Sequence, residues 1–297
     1  MKYVLITPAH NEEAFIDKTL ASMVAQSVLP ERWVIVDDGS TDETAKIVEK
    51  YAQSQPWIEL VRRPQHRDRS FAGKAHAFNA GMERVRSLDF DIIGNLDADI
   101  SFDADYFKFL LSKFAEDPRL GVTGTTMREA DHDALKDTFY HFRDVFGACQ
   151  LFRRQCFEEV GGYMPIKWGG IDWIAVRTAR LKGWETRSFS DKMFFHHRPM
   201  GETNSNTWKA RFDYGRKDYF LGNHPLWQVF RVGYQMLKRP YVIGGLVLGA
   251  GYVYSLVARI ERPVTVELLK LHRREQLQRL RSLVTHFAKT GQIKGPA

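Results

Sequence analysis

The chain has 297 residues, of which 44% are hydrophobic and 13% aromatic, and its formal net charge is +7. That length suits one large domain or a domain with an appendage, and the composition excludes collagen-like, low-complexity and wholly disordered chains. Two cysteines, Cys149 and Cys156, match no zinc spacing and are too few for a disulfide framework, so they read as buried thiols in a reducing compartment.

The charge is unevenly placed. Residues 200–297 hold 16 Lys and Arg against 6 Asp and Glu, and residues 1–199 hold 27 against 30. A basic tail on a slightly acidic body points to an anionic surface, nucleic acid or membrane, as partner.

The first strand candidate, YVLITP, begins at Tyr3, so no signal peptide is expected, and it stops at Pro8. Phe15, Ile16, Leu20, Met23 and Val24 then fall at helical spacing, with Asn11 as the expected N-cap. Arg32–Asp37 is a second strand. It runs into DDGSTDET, a glycine turn and a helix start capped by Ser40 or Thr41. A short strand is expected near 58–62, then a helix with Ala77, Phe78, Met82 and Val85 on one side.

FDIIGNLDADISF, residues 90–102, reads as a buried strand, in which Asp97 and Asp99 share a face. Two carboxylates there are costly without a partner. The partner that suits them is a divalent cation shared with substrate phosphates; a solvated acidic loop is the plain alternative. A helix ending at Asp117-Pro118, a strand at Leu120–Thr126 and a helix across 134–160 follow. Gly169-Gly170 forms a turn, Asp172 opens a helix that Gly183 ends, and a strand near 186–189 leads into HHRPMG.

This βαβαβ alternation argues for an α/β fold with a mixed, mostly parallel sheet and helices on both faces. Ligands of such sheets bind beyond the C-terminal strand ends. TPAHNE, DDGSTD and NLDAD occupy those ends and converge on one edge.

The ordered set TPAHNEE (7–13), VDDGSTDET (36–44), GKAHAFNAG (73–81), NLDADI (95–100), FGACQLFRRQCFEEVGGY (146–163) and GGIDWIAVRTARLKGWE (169–185) resembles glycosyltransferase family 2. These are inverting enzymes of the nucleotide-diphospho-sugar transferase (GT-A) fold. The resemblance covers the first 200 residues and implies the site. Asp38, with Asp37, would bind the base or ribose of a nucleotide; Pro8 and Ala9 would line that pocket by backbone, and Glu12 would reach the nucleoside. Asp99 would bind Mg²⁺ or Mn²⁺, and Asp97 the ribose or a metal-bound water. Lys74 would pair with the diphosphate. Asp172 would be the general base; the family's usual Glu-Asp is Ile171-Asp172 here. His197, preferred over His196, would be a further metal ligand, and Arg198 would touch the diphosphate. Trp168 and Trp173 would stack on a sugar, with ordinary core packing as their alternative. Arg153 and Arg154 would face an anionic acceptor or cap a helix.

Beyond residue 200, aromatic and basic residues interleave. Residues 241–258 carry no charge and have basic flanks at Lys238, Arg239, Arg259 and Arg262. As a helix they would span about 27 Å, against about 30 Å of hydrocarbon. With both flanks drawn to the cytoplasmic side, a re-entrant or interfacial segment is expected, a single span being the alternative. Residues 264–289 read as a basic amphipathic helix with Leu277, Leu280, Val284 and Phe287 as its apolar stripe. A loose tail is expected at the end.

The expected organisation is a catalytic domain over 1–200 and a helical, basic, membrane-associating region over 201–297. The expected activity is metal-dependent inverting transfer from a nucleotide-diphosphate sugar. Its acceptor is a lipid-linked glycan or polyprenyl phosphate, at the cytoplasmic face of the cell membrane, in cell-surface polysaccharide or glycolipid synthesis. Nucleic acid is not an expected partner. The rivals are a same-fold nucleotidyltransferase and a non-catalytic scaffold of a polysaccharide-synthesis complex.

Overall fold

A computed structural model describes residues 1–64, 71–129, 141–166, 168–198 and 207–290. The chain divides into two compact units, Met1–Pro199 and Met200–Ala297.

The first unit is built on one sheet of order β3-β2-β1-β4-β7-β6-β8-β5. Its parallel half is β1 (Tyr3–Ala9), β2 (Arg32–Asp37), β3 (Ile58–Arg62) and β4 (Ile92–Leu96). The other half is mixed. β7 (Cys149–Arg153) runs antiparallel to both β4 and β6 (Leu120–Arg128); β8 (Glu185–His196) runs parallel to β6 and antiparallel to the short β5 (Ile100–Ser101).

Strand alternation assigns the two faces. Tyr3, Leu5, Trp33 and Ile35 join the core that holds Ile16 and Leu20 of α1 (Ile16–Val24), Val48 of α2 (Thr44–Ser54) and Leu110 of α4 (Tyr106–Glu116). The intervening Ile6 and Val36 meet Gly81 of α3 (Phe71–Val85) on the opposite face. Helices therefore cover both faces, which a parallel sheet requires because its strands are apolar on both sides. Trp33 is fully buried and its indole N–H donates to Thr7 Oγ1 at 2.8 Å. α5 (Arg154–Val160) and α6 (Ile171–Leu181) complete the unit.

Three expectations are corrected. The helix over 134–160 is absent where described: residues 141–148 are irregular, β7 follows, and only Arg154–Val160 is helical, while 134–140 lie outside the described residues. Asn11 does not cap α1. It has φ 54°, and its Oδ1 accepts from Thr41 N at 2.8 Å, tying the β1–α1 loop to the β2–α2 loop. Asp97 and Asp99 do not lie in a strand, because β4 ends at Leu96 and the two acids sit in the turn into β5.

The second unit is helical: α7 (Thr207–Phe220), α8 (Pro225–Met236), α9 (Ile243–Val257) and α10 (Val266–Thr290). Its interior holds a polar knot. Asn223 Oδ1 accepts from Gln276 Nε2 at 2.7 Å and lies 3.0 Å from His272 Nε2, while Asn223 Nδ2 donates to Gln228 Oε1 at 3.2 Å. α10 consequently buries Leu268, His272, Gln276 and Leu283, while Val284 and Phe287 of its expected apolar stripe are exposed. The expected loose tail, 291–297, lies outside the described residues.

Candidate active site

The parallel register puts the ends of β1, β2 and β4 on one edge: Ala9 pairs with Asp37, and Ile6 with Asn95. β2 ends on the buried Asp37, and β4 carries the buried Asn95 one residue before its end.

The β1 and β2 ends form the first part of the site. Asp38 N donates to Ala9 O at 2.8 Å, His10 Nδ1 lies 2.9 Å from Asp38 O, and Asp37 Oδ1 accepts from Ser40 N at 3.0 Å. Gly39 makes the turn with φ 75°. Both carboxylates are buried, and Arg63 Nη1 reaches Asp38 Oδ1 at 2.5 Å. Pro8 and Ala9 line this edge through β1 itself.

The β4 end carries the second part. Lys74 Nζ donates to Asp97 Oδ1 at 2.5 Å. Burial works against the Lys74 charge, but Asp97, with lesser fields from Asp172 and Asp99, outweighs it and raises the pKa of the ammonium. Asn95 Nδ2 donates to Asp97 Oδ1 at 3.1 Å and to Gly147 O at 2.6 Å; its buried Oδ1 has no partner among the described residues. Asp99 is buried. Desolvation, then the charge of Asp97, raise its pKa against the opposing fields of His196, Lys74 and Arg198.

β8 brings His196 to Asp99, with Nε2 3.5 Å from Asp99 Oδ1. The other ring nitrogen, Nδ1, lies 2.9 Å from Glu129 Oε1. A carboxylate only accepts, so this contact uses the Nδ1–H of His196 and leaves Nε2 facing Asp99. His197 occupies the opposite side of the strand. Its Nε2 meets Ser101 Oγ at 2.9 Å and its ring stacks on Phe15 at 6.3 Å. Burial, then Lys18, lower its pKa. His196 therefore sits where His197 was expected, because one residue of strand reverses the face.

Arg198 joins Glu12 by its Nη2, and its Nε lies 3.6 Å from Asp99 Oδ2. Burial, followed by the charge of Asp99, pushes the Glu12 carboxyl up to about 7 although Arg198 opposes the shift.

Asp172 stands in the first turn of α6 behind Gly170, which has φ 89°. The helix uses no side-chain cap. The Asp172 carboxylate faces Gly147: a Cβ there would lie 2.5 Å from Asp172 Oδ2. Trp173 carries Arg177 on its ring at 5.1 Å, and Trp168 is exposed. Arg153 donates to the carbonyls of Phe114, Asp117 and Leu120, closing the end of α4, and Arg154 binds Leu88 O and Glu158. Arg153 thus takes the helix-end role, while Arg154 ties α5 to the loop after α3.

The site accordingly gathers the buried Asp37 and Asp38, an acidic turn paired with Lys74, His196 and Arg198, and a separate carboxylate, Asp172. The family model described as Glycosyl transferase family 2 matches residues 4–169, more than half of the chain. The chain belongs to glycosyltransferase family 2. Among relatives of this family 2 chain, the poly-beta-1,6-N-acetyl-D-glucosamine synthase of Staphylococcus aureus (strain COL) is 33% identical over 116 residues, covering 39% of this chain and 26% of that protein. The chondroitin synthase of Pasteurella multocida (strain Pm70) is 29% identical over 126 residues, covering 42% of this chain and 12% of that protein. The chain thus spans a minor part of the length of the curated relatives it matches.

Two solved structures share the fold of this family 2 chain. The mannosyltransferase PcManGT from Pyrobaculum calidifontis, in complex with GDP-Man and Mn²⁺, superposes with TM-score 0.58 at 19% identity, covering 87% of this chain and 88% of that one. Staphylococcus aureus TarS 1-349 in complex with UDP-GlcNAc gives 0.55 at 16% identity, covering 99% and 88%. The architecture is that of the GT-A glycosyltransferases.

Glu129 is a site residue outside every sequence motif, while Asn95 and Gly147 lie in NLDADI and FGACQLFRRQCFEEVGGY without a role assigned to them. Glu129 follows directly on β6, a strand without charge before its last residue, Arg128, and that contrast is its only sequence signal.

Proposed function

We propose that the chain is a divalent-metal-dependent, inverting glycosyltransferase that moves a sugar from a nucleotide-diphosphate donor to a lipid-linked glycan or polyprenyl phosphate. The observation that carries this reading is the meeting at one sheet edge of Asp38, the Lys74–Asp97 pair, the Asp99–His196 pair and Asp172. The likeness to polysaccharide synthases supports a role in cell-surface glycan assembly. The donors held by TarS and PcManGT, UDP-GlcNAc and GDP-Man, support a UDP- or GDP-linked sugar.

In this reading Asp38 and Asp37, with the backbone of Pro8 and Ala9 and the side chain of Glu12, bind the nucleoside. Carboxylates suit an imide N–H or ribose hydroxyls. Lys74 and Arg198 face the diphosphate with fixed positive charge, and Trp173 borders the sugar. Asp97 positions Lys74.

The residues around Asp99 suit a cation. One carboxylate and one imidazole are donors that Mg²⁺ or Mn²⁺ accepts, and an imidazole favours Mn²⁺. Among the described residues no group of three or more His, Cys, Asp or Glu forms a complete cage. The reading assigns the remaining ligand positions to diphosphate oxygens and water. Held by Asp99 and His196, the ion would offset charge on the departing diphosphate.

Asp172 takes the proton of an acceptor hydroxyl as that oxygen attacks the anomeric carbon opposite the diphosphate. A phosphate acceptor needs no such deprotonation. We also propose attachment to the cytoplasmic face of the cell membrane, supported by the basic excess of residues 200–297.

Calorimetric titration of UDP, GDP, CDP and dTDP, with and without Mn²⁺, on the native chain and on Asp99→Ala tests the donor site. Metal-dependent binding of one nucleotide, lost in the variant, is expected. A folded chain that binds none of the four sinks the reading.

A further inference from the structure

Helix α9 is arranged inside out for a protein in water. Three of its six buried residues are glycines, Gly244, Gly245 and Gly251, beside Leu248, Tyr252 and Ser255. A Cβ on Gly215 of α7 would lie 2.0 Å from Leu248 O, and one on Gly251 would lie 2.1 Å from Phe212 O. The two backbones therefore touch, and only glycine permits it. The outward side carries the large aliphatics. Ile243, Leu246, Val253 and Val257 recur at helical spacing and are 54%, 55%, 54% and 76% exposed.

Small residues inward and branched aliphatics outward is the arrangement of helices that meet lipid, where close backbone packing rather than hydrophobic burial joins neighbours. In water it leaves a contiguous apolar face of the kind that marks an interaction site. The approach from α8 adds Leu237, 67% exposed, and Tyr241, 60% exposed.

Two further observations choose the occupant. The apolar stripe is bordered by exposed Lys238 and Arg239 at one end and exposed Arg259 at the other. Basic side chains flanking an aliphatic face complement anionic headgroups around acyl chains. Tyr241 and Tyr254, both exposed, supply amphipathic rings suited to the headgroup level. The helix has 15 residues, about 22 Å at 1.5 Å per residue, which is short of a hydrocarbon core of about 30 Å. No helix among the described residues is long and apolar enough to cross a membrane.

We propose that the outward face of α9, with Leu237 and Tyr241, seats in one leaflet of an anionic bilayer and lies in its plane. This rests on the membrane attachment proposed above and names the surface responsible for it.

The test is flotation of the full chain with vesicles of phosphatidylcholine alone and of phosphatidylcholine mixed with phosphatidylglycerol. The native chain is expected to float with the mixed vesicles. The triple variant Leu246→Gln, Val253→Gln, Val257→Gln loses about tenfold or more of that partition. Arg239→Glu with Arg259→Glu loses binding to the mixed vesicles selectively. All substituted side chains are exposed, and circular dichroism with a melting curve controls for folding. Sedimentation velocity runs alongside. A native chain that leaves both vesicle types unbound overturns the proposal, and so does a dimer that only the triple variant breaks, since a second copy would then cover this face. Nucleotide calorimetry on the same samples separates this outcome from the donor-site reading: lost flotation with retained nucleotide binding removes only the bilayer.

Discussion

A methyl group placed on Gly147 would lie 2.5 Å from Oδ2 of Asp172 and 2.8 Å from its Cγ. The backbone of one loop thus forms the wall against which the proposed base rests. Gly147 O also accepts from Asn95 Nδ2, so this wall is tied to the acidic turn.

Gly147→Ala should therefore push Asp172 out of line without touching the nucleotide pocket. Displacement of a reacting group by about 1 Å costs on the order of 100-fold in rate. Initial rates should show a fall of that size in kcat, and calorimetry an unchanged nucleotide Kd. A variant that loses nucleotide affinity equally would assign Gly147 to the fold instead.

Asp172→Asn distinguishes acceptor classes. With a sugar hydroxyl as acceptor, kcat should fall by about 10²–10⁴-fold, the usual worth of a general base. With a polyprenyl phosphate the loss should be much smaller. Rates measured on both acceptors, at saturating donor, decide between them.

Glu129 holds His196 by Nδ1, and outer partners of this type are worth about 10- to 100-fold in metal affinity. Glu129→Gln should weaken Mn²⁺ binding, measured by calorimetry in the presence of the nucleotide, by about tenfold or more. His196→Ala should weaken it further, and His197→Ala should leave it unchanged. An effect of His197→Ala equal to that of His196→Ala would reverse the assignment.

Glu12 gives a pH dependence with a definite sign. Its carboxyl is raised from 4.5 to about 7 by burial, then by Asp99, so between those values the folded chain holds a proton that the unfolded chain has released. Stability contributed by this group is present at low pH and falls as pH rises toward about 7. Melting curves of the metal-free chain and of Glu12→Gln should converge in acid and diverge toward neutrality, with the variant the more stable. Parallel curves across that range would remove the buried-carboxyl account.

The donor edge was legible because a parallel sheet sends the ends of consecutive strands to one side. TPAHNE, DDGSTD and NLDAD therefore meet whatever the loops do. Asp172 was picked out by its motif alone, its neighbour Ile171 departing from the family pair, and its role as base is the proposal made above. The choice between His196 and His197 was not legible. A single residue of strand register separates a ring on Asp99 from one on Ser101, and no composition signal carries register. The break of β4 at Leu96 was hidden because apolar Ile100 and Phe102 continue the look of a strand past the acidic turn. Glu129 and Gly147 escaped because each matters through one long-range contact.

The Lys74–Asp97 pair, with Arg198 beside Asp99, has a kinetic corollary. The resting site already carries its own counter-charges, so a bare divalent ion entering alone would have to displace or crowd resident cations. A nucleotide that arrives with its ion brings the anionic phosphates that Lys74 and Arg198 can turn to. Loading should then be ordered, with ion and donor entering as one complex. Such an enzyme follows the cell's supply of metal–nucleotide complex rather than of free metal. Mn²⁺ titrated without nucleotide should accordingly give little heat; tight binding of the ion alone would show that the order is the reverse.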